Sequence, residues 1–297
     1  MLKTALAACL LVAAVAFAQQ QPDYSKVEIK VIKVAGNVYM LEGMGGNIAA
    51  LTGDDGIVMV DAEYAPLAEK IRAALKTVSD KPVKYLINTH WHGDHTNGNT
   101  AFGPSAIIIA HDNAKKWLGS EQKGVFGQPS PPMEKNGLPV ITYDDRMALH
   151  LDGDDMFLFH PANSHTDGDT IVYFSNEHVV HMGDNFVNGR FPILDVPHGG
   201  SVNGMIAADE MILARTLADT KFIPGHGPLA TRADLEKYIA MLKDTRDTVA
   251  AAIQKGRTAD QMKQEKILSK YDFLGSPDRY IDFLYADLSR TTNRSGQ

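Results

Sequence analysis

The six residues His90-Trp91-His92-Gly93-Asp94-His95 place three imidazoles and a carboxylate within one short stretch of chain. Nitrogen and oxygen donors in that density suit a borderline-soft divalent cation. The stretch follows the apolar run Val83 to Thr89, which reads as a strand. Ligands at a strand's exit are held rigidly and still open onto solvent and substrate. Exposed histidines in a polar turn would share the residue types, but not three of them beside an acid at this spacing. Three further residues repeat the device. His165 follows the run Met156 to His160, Asp184 follows Val179 to Met182, and His226 follows the short run at Phe222. Each alone is an ordinary loop residue. Together they put a polar donor wherever an apolar strand runs out. The only cysteine is Cys9, so any metal chemistry further along the chain must use histidine and carboxylate.

The elements that must carry these residues alternate. Val27 to Val34, Val38 to Leu41, Ile48 to Thr52 and Ile57 to Val60 read as strands, with Gly53-Asp54-Asp55-Gly56 as a hairpin turn. Pro66 opens a helix whose apolar face is Leu67, Ile71, Leu75 and Val78. Ala106 to Ala110 is a buried strand type, followed by a helix over 113–118. Gly119 to Pro139 has no periodicity and reads as a long mobile loop of the kind that covers a hydrolase site. A second block of strands spans 140–182. Helices follow over Ser201 to Ala218 and Thr231 to about Gln254; the second starts with a Thr231/Asp234 capping pattern. This order predicts an α/β fold of two mixed sheets packed face to face with helices outside.

With 297 residues and 44% hydrophobic content, the chain can bury one large core. Residues 1–18 read as a signal peptide: Lys3, an apolar run from Thr4 to Phe17, and small residues at Ala16 and Ala18. The expected location is periplasmic or secreted. Leu6-Ala7-Ala8-Cys9 has the form of a lipidation box, but the apolar run before it is too short. The apolar stretch is also too short for stable membrane insertion. Residues 19–297 are then expected to form a single domain of two αβ halves, roughly 25–155 and 156–260, with a helical C-terminal tail. Without Lys3 the 29 basic residues become 28, against 36 acidic ones. That diffuse acidity excludes nucleic acid as a main partner and points to a small-molecule substrate. The oligomeric state stays open, a monomer being compatible with the composition.

From about Val27 to about Leu242 the sequence resembles the metallo-β-lactamase superfamily, through His90-x-His92-x-Asp94-His95, His165, Asp184, His226 and the strand-end acid Asp61 in Val58-Met59-Val60-Asp61. The resemblance implies an αβ/βα four-layer sandwich. It implies that His90, His92 and His165 hold one metal, that Asp94, His95 and His226 hold a second, and that Asp184 bridges them. Two Zn(2+) ions are the expected cofactors, with iron or manganese as alternatives. Asp61, and by its position Asp169, would support the ligands from behind. Such a centre acidifies a bridging water to hydroxide, which cleaves an amide or ester. Asp94 would orient that nucleophile or carry its proton.

The segment from Asn185 to Ser201 is expected at the substrate rim, with Arg190 for a substrate carboxylate and Asn188 or His198 near the developing oxyanion. The seven-ligand set departs from the best-known resistance enzymes, which carry a cysteine near Asp184 and a lysine where Val187 stands here. Two hydrolytic functions are therefore weighed: a β-lactamase-like hydrolase of cyclic amides, and a lactonase or other ester hydrolase. A redox iron protein is disfavoured by His92, and a non-catalytic metal-binding protein by the intact ligand set.

Overall fold

A computed structural model describes residues 22–294; the expected signal peptide, residues 1–18, lies outside them. Seven strands form the first sheet, in the spatial order Lys30–Ala35, Val38–Glu42, Ile48–Gly53, Gly56–Val60, Val83–Ile87, Ile107–His111 and Ile141–Tyr143. The first four are antiparallel neighbours, and the last three add in parallel. The second sheet has six strands, Arg146–Leu151, Asp154–Phe159, Ile171–Phe174, Val179–His181, Lys221–Ile223 and Ala230–Thr231, with one parallel pair between Val179–His181 and Lys221–Ile223. The change of sheet falls between Tyr143 and Arg146, ahead of the expected division at 155/156. The reason is that Arg146–Leu151 pairs along its whole length with Asp154–Phe159 as a hairpin.

Side-chain alternation explains the layering. Val58 and Val60 share one cluster with Leu158, Val172 and Phe174 of the other sheet, and this cluster is the seam between the sheets. Ile57 and Met59 point the opposite way and pack with Leu67, Ile71 and Leu75 of the helical segment after Pro66. In the second sheet Ile171 and Val180 turn outward to meet Leu235, Ile239 and Leu242 of the helix Arg232–Gln254. A strand buried on both faces must be apolar at every position, as Gly56–Val60 is. The result is helix, sheet, sheet, helix. Thr231 and Asp234 form the reciprocal capping box expected of that long helix. Residues 119–139 are less featureless than their composition suggests: Gln122–Lys123 pairs with Pro129–Ser130, and Lys135–Gly137 is a short 3₁₀ turn.

Candidate metal centre

All seven donors meet at one end of the sandwich, where strands of both sheets terminate. Three overlapping groups have ligand atoms within 4.8 Å of one another: His90, His92 and His165; His90, His95 and Asp184; Asp94, His95 and His226. Asp184 faces both sides. Its Oδ1 lies 3.2 Å from His95 Nε2 and 3.4 Å from His226 Nε2, and its Oδ2 lies 3.8 Å from His165 Nε2. Glycine makes this closeness attainable at two points. A Cβ on Gly46 would fall 2.1 Å from the His95 ring, and one on Gly225 would fall 2.0 Å from Asp184 Oδ1.

Hydrogen bonds behind the rings decide which nitrogen looks inward. A carboxylate or carbonyl can only accept, so the ring nitrogen facing it must carry the proton. His95 Nδ1 donates to Asp61 Oδ2 at 2.7 Å, His92 Nε2 to Asp195 Oδ2 at 2.9 Å, and His165 Nδ1 to the Ile193 carbonyl at 2.9 Å. Thr89 Oγ1 donates to Asp61 Oδ2 at 2.7 Å and so accepts from His90 Nδ1 at 3.0 Å. The second nitrogens of His90, His92 and His165 are thereby left as lone pairs aimed at the centre. His165 Nε2 and His92 Nδ1 stand 3.0 Å apart, and His95 Nε2 and His226 Nε2 stand 3.3 Å apart.

Lone pairs cannot satisfy one another. His90 Nε2 and Asp184 Oδ1 are buried with no hydrogen-bond partner. Burial pushes the His90 ring well below the ordinary histidine pKa, and the neighbouring imidazoles push the same way. Burial also opposes charge on His95, yet Asp184, Asp61 and Asp94 overcome it and raise that ring well above the ordinary value. The pocket therefore favours positive charge at its middle while keeping lone pairs turned toward it. A divalent cation meets both conditions, so the donor set fits a metal.

Two supporting acids were not singled out in the sequence. Asp195 accepts from His92 and also from His198 Nδ1 at 2.8 Å; burial would raise it, but these partners hold it below the carboxylate range. Glu63 is fully buried and accepts the Met44 and Gly45 amides at 3.0 Å, pinning the loop that lies against His95. Asp169 accepts Thr166 N and Oγ1 at 2.8 and 2.6 Å, beside His165, and burial pushes it up to about 6.

A cavity of about 590 Å³ opens over the cluster, walled by Tyr64, Trp91, Asp94, Phe126, Pro131 and Ile193 among others. Residues 124–134 supply one side, so the segment 119–139 does lie over the site. The expected rim residues stand elsewhere. Asn188 is turned to the chain around His226: its amide donates to the His226 carbonyl at 2.9 Å, and its side chain to the Pro228 carbonyl at 3.0 Å. Arg190 follows a left-handed turn at Gly189 (φ 86°) and lines two other cavities. His198 is buried against Trp91 between Asp195 and Gln122, where it ties the covering segment to the His92 support.

A two-sheet sandwich with histidine and aspartate donors converging at its strand ends defines a metal-dependent hydrolase. The family model of the metallo-beta-lactamase superfamily matches residues 36–227, and the chain belongs to that superfamily. It is 27% identical over 237 residues to the alpha subunit of 2,4-dinitroanisole O-demethylase from Nocardioides sp. (strain JS1661), a match covering 77% of this chain and 68% of that one. Among solved structures, a metallo-beta-lactamase from Pontibacter korlensis superposes with a TM-score of 0.59 at 17% identity, over 73% of this chain and 99% of the other. An inverting sec-alkylsulfatase from Pseudomonas sp. gives 0.66 at 16% identity, over 88% of this chain and half of the other. Among the described residues no helix is long and apolar enough to cross a membrane.

Proposed function

We propose that the protein is a dinuclear zinc hydrolase of small-molecule esters, exported from the cytoplasm. In this reading His90, His92 and His165 hold one ion, Asp94, His95 and His226 hold the other, and Asp184 is shared. The observation that carries it is the set of inward lone pairs around a two-sided carboxylate. A bound pair of zinc ions would supply water whose pKa falls from 15.7 to roughly 7, and a Lewis acid for the attacked oxygen.

The chain's own groups do the rest. Asp94 borders the cavity with about a third of its side chain exposed. Burial would raise its pKa, but His95 and His226 hold it below the usual carboxylate range and keep it ionised, ready to orient the nucleophile. Tyr64 keeps its phenolic proton because burial and Asp94 both raise its pKa, which leaves a donor at the cavity wall. Trp91, Leu118 and the Pro131 region exclude water around the scissile bond.

The choice of ester over β-lactam rests on charge. Among the described residues lining this cavity there is no lysine or arginine, while Asp94, Glu134 and Asp184 are present. A β-lactam would bring its carboxylate into a chamber that offers no side-chain cation to hold it. The relationship to an O-demethylase subunit favours a second reading, in which the cleaved bond is that of an activated aryl ether. Metal analysis of the purified full chain, with turnover of aryl esters, lactones, nitrocefin and a dinitroaryl methyl ether, tests these readings. The expected result is about two zinc per chain and chelator-sensitive ester turnover exceeding that of nitrocefin. Metal-loaded protein that cleaves nitrocefin and no ester overturns the substrate assignment.

A further inference from the structure

A second cavity, of about 220 Å³, lies across the wall of the one over the cluster. Phe126 and Ile193 line both. That second chamber is also lined by Leu274, Arg279 and Phe283 and by Arg190 and Phe191. Arg279 and Phe283 belong to the helix Asp278–Arg294, beyond the residues matched by the family model. The walls are mainly apolar, with two guanidinium groups among them.

Those cations are spare. Arg190 and Arg279 are exposed, and among the described residues neither forms an ion pair within 4.0 Å. This is notable in a chain with 36 acidic residues against 29 basic ones. Arg279 is also placed: its guanidinium sits 4.8 Å from the centre of the Phe126 ring, at the partition between the two chambers. A guanidinium held by an aromatic face keeps its N–H fork free for a carboxylate or sulfate oxygen pair.

We propose that the second chamber is a distal substrate subsite. It would take an anionic group at the far end of an apolar substrate whose cleaved bond lies over the histidine and aspartate cluster, with Arg279 as the main anion contact and Arg190 as the second. The inference rests on the hydrolase reading above, and it reconciles an acidic reaction chamber with an anionic substrate. The neutral part enters first, and the charge stays at the arginines.

Para-nitrophenyl monoesters of glutaric, suberic and sebacic acid, each compared with its distal primary amide, test it in the zinc-loaded full chain. The wild type is expected to prefer the free acid, through KM, at one or more lengths. Arg279→Ala should lower that acid-over-amide ratio about tenfold, the scale of one charge-assisted hydrogen-bond pair. Arg279→Lys should lower it less, Arg279→Glu should invert it, and Arg146→Ala, a residue that lines neither cavity, should leave it alone. A ratio unmoved by Arg279→Ala and Arg279→Glu overturns the subsite. If the wild type cleaves none of these esters, the ester reading fails, and calorimetric binding of suberic acid monoamide then decides the subsite alone. Binding weakened by Arg279→Glu supports it, and binding that is absent or indifferent to the substitution refutes it.

Discussion

Asp61 and Asp209 are equally hidden from solvent and opposite in their surroundings. Asp61 sits where the strand Gly56–Val60 ends beneath the metal centre. It accepts from the Thr89 amide at 2.8 Å, from the Thr89 hydroxyl and from His95. Asp209 lies on the helix Val202–Arg215, in the apolar cluster beneath the helix Arg232–Gln254, and neither of its oxygens has a hydrogen-bond partner. Burial alone pushes its pKa far up, and nearby Glu210 adds to that. A buried carboxyl keeps its charge only where donors replace the lost water. One acid is thus the hydrogen-bonded support of His95, and burial pushes the other toward its neutral form in an apolar layer. The backbone agrees with that division: Asp61 and Glu63 both hold positive φ, 64° and 48°, a strain tolerated where the surroundings over-determine it.

The comparison sharpens most at Asp61. Asp61→Asn replaces one acceptor oxygen by a donor that meets either Thr89 or His95, and it removes the charge that orients His95. Zinc affinity, measured by competition with a chromogenic chelator, should fall by about 10–100-fold. An unchanged affinity would mean that the His95 tautomer is fixed by something other than Asp61. Asp195→Asn should act in the same direction and less, about tenfold, because an amide oxygen can still accept from His92. Its effect should extend to the covering segment through His198 and Gln122, read as faster amide exchange over 119–130.

The same contrast explains what could be read in the chain beforehand. The donors at 90–95, 165, 184 and 226 were legible because each follows an apolar run, and because three imidazoles and an acid crowd into 90–95. The two sheets and the capped helix at Thr231 were legible from apolar period and punctuation. Asp195 and Glu63 were not, since an acid in Leu194-Asp195-Val196 or Ala62-Glu63-Tyr64 looks like any loop acid. The available clue was an acid flanked by apolar residues inside a segment already assigned to the site. The placement of Asn188 and Arg190 away from the reaction chamber depends on how the chain turns at Gly189 and pairs with His226, which no local pattern encodes. The hairpin joining 146–151 to 154–159 hid the change of sheet for a related reason: strand pairing is a long-range choice, and alternation alone does not say which sheet a strand joins.

Asp209 supplies the prediction of opposite sign. An acid whose folded pKa is raised binds more protons folded than unfolded, so stability falls as pH rises above the unfolded value of about 3.9. Replacing it by Val removes both the unsatisfied oxygens and this pH dependence at similar volume. Asp209→Val should therefore raise stability by about 1–3 kcal/mol at neutral pH. That corresponds to a melting temperature higher by about 2–4 °C for each kcal/mol. The gain should shrink as pH is lowered toward 4, where the wild-type acid no longer differs in protonation between the two states. Melting curves of both proteins at pH 4.5, 6 and 7.5 check it. A variant that melts lower at every pH would show that Asp209 is held by a partner after all, and the contrast between the two buried acids would disappear.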